Sequence, residues 1–250
     1  MTKSTPHARG APSAAIKAPV NRQAVNQLIE ALPSADRAHL VTACVSVELV
    51  LGDILYEPGT RLRYAYFPLG GFVSLLSATD GHAQLELGLI GDEGMHGASL
   101  ALGVAESSQR ALVQGSGPAL RITTAAMRRE LRHSPALRRL LGRYLHVLMA
   151  QQAQNAVCIC FHLLEQRLAR WLLMTRDRAH ADAFLITHLF LASMLGVRRE
   201  GVTEAAGALQ KRGMIRYTRG RITITDRRAL ESAACVCYRH DRATWQRWLG

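Results

Sequence analysis

Several things are missing from this chain, and each absence narrows its class. No apolar run among its 250 residues approaches the roughly 20 needed to span a bilayer, so no membrane association is expected. The first 20 residues are rich in Ala, Pro, Ser, Thr and Lys, without the apolar centre of a secretory signal. Residues 1 to 32 are therefore expected to be a disordered basic arm and the protein to be cytoplasmic. Cysteine is sparse and odd in number, with Cys44, Cys158, Cys160, Cys235 and Cys237, which suits reduced thiols better than a disulfide framework. No nucleophile elbow, phosphate loop or zinc-protease motif occurs. The acids Asp92 and Glu93 lie in IGDEGMHG, which reads as a turn rather than a general acid/base pair, so no enzyme is expected. Acidic residues are also short, 19 against 31 Lys and Arg, for a net charge of +12.

That excess is uneven. Residues 33 to 132 carry eight basic residues against ten acids, whereas 187 to 250 carry twelve against five. A polyanion partner accounts for such a step, because each neutralised phosphate releases counterions and so adds affinity independent of sequence. A membrane-surface helix would need exposed large apolar residues opposite the charge, and here the apolar face is committed to the fold.

The basic region has a local pattern. THLFLASMLGVRREGVTEAAGALQKRGMIRYTRGRITI, Thr187 to Ile224, reads as helix, tight turn, helix and β-hairpin. Leu189, Leu191, Ala192 and Leu195 are expected to face inward on the first helix, with Gly196 supplying the positive φ of the turn. Val202, Ala205, Ala206 and Leu209 recur at i, i+3, i+4 and i+7 on the second helix. Arg198, Arg199, Glu200 and Thr203 then look outward at its N-terminal end, where base-reading side chains belong. Ile215 and Tyr217, then Ile222 and Ile224, alternate around the turn TRGR, placing Arg219 and Arg221 at the tip of a hairpin within reach of phosphates. With Thr187 and His188 at the start of the first helix, these residues form the expected contact set for double-stranded DNA.

Upstream, glycine and proline break residues 33 to 132 into short runs such as VSVELVL, YAYFP, FVSLLSA, AQLELGLI and RALVQGS, the punctuation of a small barrel or jelly roll. From Pro135 the period changes. Leu137, Leu141, Tyr144, Leu148, Gln151, Asn155 and Cys158 follow alternating steps of four and three, a coiled-coil seam with two polar entries. Two surfaces suit such a seam: the chain's own barrel, or a second copy. The second is favoured because helix-turn-helix proteins usually read two half-sites, so Leu137, Leu141, Tyr144 and Leu148 are expected at a homodimer interface.

The order of parts, with GDILYEPG (52 to 59), YFPLGGFVS (66 to 74), IGDEGMHG (90 to 97), LEQRLARWLL (164 to 173), LASMLGVRRE (191 to 200) and GMIRYTRGRITITDRRALE (213 to 231), resembles the Crp/Fnr family of bacterial transcription regulators over about residues 33 to 240. The resemblance implies an α+β fold: a cyclic-nucleotide-binding-like antiparallel β-roll over 33–132, a long dimerisation helix over 133–160, and a winged helix-turn-helix over 161–250. It also implies RNA polymerase as a partner. In the family, an arginine and a glutamate early in the recognition helix read bases, and Arg199 and Glu200 match them. The next family arginine falls on Glu204, which implies a different operator, and Val197 and Arg198 replace the small hydroxyl residues that often cap this helix.

The roll departs further. Where cyclic-nucleotide binders of the family hold ribose with a glutamate after a glycine, and the phosphate with an Arg-Ser or Arg-Thr pair, this chain has Gly97-Ala98 and Gln109-Arg110. Ala98, Gln109 and Arg110 thus mark an effector pocket without the charge-assisted clamp, and no cyclic AMP binding is expected. Arg110 has the right charge, but strand alternation would point it to the other face. For metals, Cys158-x-Cys160-x-His162 and Cys235-x-Cys237-x2-His240 are suggestive, yet helical residues two apart point about 200° apart and cannot share one tetrahedral ion. Nor does any cysteine precede Cys44, so the N-terminal cluster of the family's iron-sulfur sensors is missing. No metal or cofactor is expected, the thiols being inert or, alternatively, a reversible switch. His82 and His96, on barrel loops, are expected to be solvated. The rival readings are a thiol- or small-molecule-responsive regulator of the same family and an interaction protein that does not bind DNA.

Overall fold

The computed structural model describes residues 25–78 and 84–250. His82 and the arm before residue 25 lie outside the described residues. In chain order the elements are α1 (Gln27–Glu30), α2 (Ser34–Thr42), β1 (Val45–Leu49), β2 (Ile54–Tyr56), β3 (Tyr64–Pro68), β4 (Phe72–Ala78), β5 (Gln84–Ile90), a 3-10 turn (Ala98–Leu102), β6 (Arg110–Gly115) and β7 (Gly117–Thr123). There follow α3 (Thr124–His133), α4 (Pro135–Phe161), α5 (Leu164–Ala179), β8 (Ala183–Leu185), α6 (His188–Leu195), α7 (Arg199–Lys211), β9 (Ile215–Thr218), β10 (Arg221–Ile224), α8 (Arg227–Ala233) and α9 (Cys237–Leu249).

The first seven strands form two antiparallel sheets, β1-β7-β3 and β2-β6-β4-β5, which face each other as a roll. Alternation along the strands turns Ala65, Phe67, Val73, Leu75, Ala111 and Val113 into the common core. The reading of residues 25 to 32 as arm is corrected here. Leu28, Ile29 and Leu32 are buried in that core, and Asn26 caps α1 while its amide donates to the carbonyls of Pro68 (3.0 Å) and Gly94 (2.8 Å). The end of the roll is also shorter than 132, since Thr123 caps α3 through the amide of Ala126.

Ser134 accepts from Leu137 N at 2.9 Å and Pro135 occupies the first turn, so α4 begins as the pattern of the sequence predicts. Its partner is different. Leu137, Leu141 and Tyr144 are fully buried against the chain's own roll, and Leu148 is partly buried against the same core. Tyr144 sits over Gly94, where a Cβ would collide with its ring, and its hydroxyl bonds the backbone of Met95, accepting from N at 3.0 Å and donating to O at 3.2 Å. Leu137, Leu141 and Tyr144 are therefore core residues rather than an intermolecular face, while Leu148 keeps part of its surface open. The opposite side of α4 exposes Met149 (70%), Ala153, Ala156, Val157 (45%), Cys160 and Phe161 (80%).

The winged unit forms a second core from α5, α6, α7 and the sheet β8-β10-β9. The final helix was not foreseen in the sequence. α9 returns to α4 and the roll: Leu249 is buried in the roll core, and Trp245 Nε1 donates to the carbonyl of Glu93 at 3.3 Å. Buried Arg170 on α5 ties three helices together, donating to Asn155 Oδ1 on α4 (2.9 Å) and to Asp241 Oδ2 on α9 (2.7 Å). No helix among the described residues is long and apolar enough to cross a membrane.

Candidate nucleic-acid interface

Thr187 Oγ1 accepts from Phe190 N at 3.1 Å and so starts α6, and Gly196 ends it at φ 64. A side chain there would be strained by that φ and would push aside Leu85 Cδ1 on β5, 2.9 Å from where a Cβ would stand. Leu191, Ala192 and Leu195 point inward as the spacing predicts, but Leu189 does not: it is 70% exposed, and Met194 takes the buried place. Leu189 shares a side with Ala192, but it sits in the first turn at the edge of the packed face, and the second core takes Leu191, Ala192, Met194 and Leu195.

α7 buries Val202, Ala205, Ala206 and Leu209 on α5 and α6, leaving Arg198, Arg199, Glu200 and Thr203 exposed at its N-terminal end. Arg198 stands at the cap position without a side-chain hydrogen bond, so the first-turn N–H groups remain open to an outside acceptor. Thr203 is already engaged. Its hydroxyl donates to the Arg199 carbonyl at 3.1 Å and lies 3.0 Å from His188 Nδ1. His188 in turn stacks on Tyr217 of the wing, ring centroids 4.1 Å apart, and partial burial and the Arg199 charge lower its pKa. His188 thus links α6 to α7 and the wing, while Thr187 caps α6.

In the wing, Arg219 (φ 49) and Gly220 (φ 77) are the two central residues of a tight hairpin turn, both in the left-handed region that such turns require. Alternation carries Ile215, Ile222 and Ile224 into the core and leaves Arg216, Thr218, Arg221 and Thr223 on the open face beside Arg219. Arg216 was missed in the sequence, although it lies two residues from Thr218 on the same face. Among the described residues, Arg198, Arg199, Arg216, Arg219 and Arg221 form no salt bridge. Their charge is left for an outside anion.

A second feature is a cavity of about 120 Å³ between the roll and α4, lined among others by Ala98, Gln109, His96, Leu145, Leu148 and Gln152. It brings Ala98 and Gln109 together. Arg110 is not part of its wall; Arg110 Nε instead pairs with Glu57 Oε2 at 2.8 Å. His96 is not solvated but buried, stacked on Tyr56 at 5.3 Å, and burial lowers its pKa to about 4. Its Nδ1 has no hydrogen-bond partner among the described residues. Asp92 and Glu93 have structural roles, the first beside His180 and the second paired with Arg178 at 2.7 Å.

The separation expected of the cysteines is overturned. Cys158 and His162 lie four apart at the end of α4, and Cys235 and Cys237 reach them from the α8–α9 junction, so that their ligand atoms all fall within 4.8 Å of one another. Cys160 points away and is exposed. The informative spacing was Cys158 to His162, one helical turn, rather than Cys158 to Cys160. Burial and the Glu130 charge push the remaining thiol, Cys44, up to about 12, so it stays protonated.

Residues 166–233 match the family of Crp-like helix-turn-helix domains. Among solved structures, the chain is similar to a Crp/Fnr-family transcriptional regulator from Thermus thermophilus (25% identity over 76% of this chain and 98% of that one, TM-score 0.63). It shares its fold with FixK2 from Bradyrhizobium japonicum (13% identity, 77% and 98% covered, TM-score 0.65) and with the c-di-GMP-responsive global regulator CLP from Xanthomonas campestris (16%, 77% and 99%, TM-score 0.64). No curated protein sequence matches the chain.

Proposed function

We propose that this chain, a DNA-binding transcription regulator of the Crp/Fnr family by its Crp-like helix-turn-helix domain and its fold, reads a two-fold-symmetric operator as a homodimer. One observation carries the reading. The open N-terminal turn of α7 and the wing present five arginines without carboxylate partners among the described residues, flanking the one exposed acid in that turn, Glu200. Arg199 is placed for the bidentate contact to guanine O6 and N7, and Glu200 for a cytosine amino group. Arg198, Arg216, Arg219 and Arg221 supply phosphate contacts that set register without reading sequence.

The dimer face in this reading is the exposed side of α4, through Met149, Ala153, Ala156 and Cys160, spaced by four, three and four residues. This replaces the buried seam. The effector cavity does not take cyclic AMP: its roughly 120 Å³ falls well below the ~300–1,000 Å³ of ordinary ligand sites, and its wall lacks a guanidinium for a cyclic phosphate. RNA polymerase and a cytoplasmic setting follow from the same reading. Selection of bound sequences from a random DNA pool tests it. Recovery of an inverted repeat with half-site centres one helical turn apart is expected; a pool without enrichment would overturn it.

A further inference from the structure

Three sulfurs and an imidazole converge where the long helix ends. Sγ of Cys158 lies 3.4 Å from Sγ of Cys235, and Sγ of Cys237 lies 3.3 Å from Nδ1 of His162. We propose that Cys158, His162, Cys235 and Cys237 bind a single thiophilic divalent cation, zinc, and so fasten the α4–α5 hinge to the start of α9.

The spacing favours one ion. With Zn–S near 2.3 Å, a tetrahedral site separates its sulfurs by about 3.8 Å, and the four atoms here all lie within 4.8 Å of one another. Softness agrees, because thiolate with imidazole selects zinc over hard cations that prefer oxygen. A disulfide between Cys158 and Cys235 would use only two of the four groups and leave Cys237 and His162 facing each other without a purpose. The surroundings also suit ligation. Gln154 Nε2 donates to Cys237 Sγ at 3.1 Å, the kind of contact that orients a ligating sulfur. Three thiolates with one divalent ion leave a net charge of −1, and Arg167 and Arg170 share a wall with Cys158 on the other side.

Binding forms three metal–sulfur bonds and one metal–nitrogen bond, and releases to solvent the protons the thiols held. Its mechanical effect follows from where the ligands sit. Two lie at the C-terminal end of α4 and two at the α8–α9 junction, so the ion would fix the angle at which the winged unit leaves the long helix. This site does not depend on the DNA-binding reading.

Cobalt(II) titration of the reduced full-length chain tests the proposal. Expected are saturation at one equivalent, sulfur-to-cobalt charge-transfer and tetrahedral ligand-field bands, displacement by zinc, and shielding of three of the five thiols from a thiol-reactive dye. Cys44→Ser, outside the cluster, should bind as the parent does, whereas His162→Ala, which spares every thiol, should bind at least tenfold more weakly. Because the parent chain is itself the main measurement, a variant that fails to fold does not decide the outcome. No charge-transfer band from the reduced parent, or equal loss in Cys44→Ser and His162→Ala, would overturn the site. A Cys158–Cys235 disulfide in the unreduced chain, with no cobalt band after reduction, would make the pair a redox couple and overturn it too.

Discussion

Trp171 on α5 donates its indole N–H to Glu86 Oε1 on β5 at 2.8 Å, so the winged unit is bonded to a carboxyl buried in the roll. The other oxygen of Glu86 accepts from Ser74 Oγ (2.7 Å) and Gln114 Nε2 (3.1 Å), and Gln114 also meets Met194 Sδ on α6. Burial pushes the Glu86 pKa from 4.5 up to about 7, against three hydrogen bonds and the Arg178 charge that favour the ion.

This carboxyl makes stability depend on pH. Between about pH 4.5 and 7 the folded state holds a proton that the unfolded state has released, so stability should fall as pH rises through that window. His96 acts oppositely: lowered from 6.5 to about 4, it makes stability rise with pH between those values. Urea midpoints from pH 4 to 8 should show that Glu86→Gln removes the fall above pH 6.5 and exposes the His96 rise below it. A wild-type profile flat from 6.5 to 7.5 would contradict the assignment.

The Arg170–Asp241 pair should behave as a buried ion pair. Asp241→Ala leaves the guanidinium buried with Asn155 alone and is expected to cost about 3–5 kcal/mol. Replacing both, Arg170→Met with Asp241→Leu, should cost less than Asp241→Ala. Chemical denaturation of the three variants checks this, and a double variant weaker than the single one would refute it.

The two sides of α4 should respond differently to the same charge. Leu141→Asp places a carboxylate in the roll core and should abolish folding, as seen in circular dichroism. Met149→Asp and Ala156→Asp alter exposed positions; they should keep the helical signal but shift sedimentation to the monomer. A folded Met149→Asp chain that still dimerises would remove α4 as the interface.

In the interface with DNA, reading and positioning should separate. Arg199→Ala and Glu200→Ala are each expected to lose about 1–3 kcal/mol and to relax one base pair per half-site. Arg216→Ala or Arg219→Ala should weaken all sequences alike and lower the salt slope by about one per half-site. Equilibrium binding at several salt concentrations distinguishes them; a wing change that alters sequence preference would reverse the assigned orientation of α7.

What the sequence determined by itself is local. The inward Val202, Ala205, Ala206 and Leu209, the φ of Gly196, the Arg219-Gly220 turn and the cap-less Arg198 all follow from spacing within a few residues, because helix and hairpin geometry repeat over that distance. Tertiary structure decided what faces what. A seam at Leu137, Leu141 and Tyr144 states only that an apolar surface must cover it, and the roll did so by placing Gly94 and Met95 under Tyr144. Leu189 went outward because α6 had more apolar residues than its packed face could take. Residues 77 apart in the chain meet in the Cys158–Cys235 contact, and 85 apart in the Trp171–Glu86 bond. Periodicity carries no information over such separations; only the closing of α9 onto α4 and of α5 onto the roll brings these groups together, and burial then sets their chemistry.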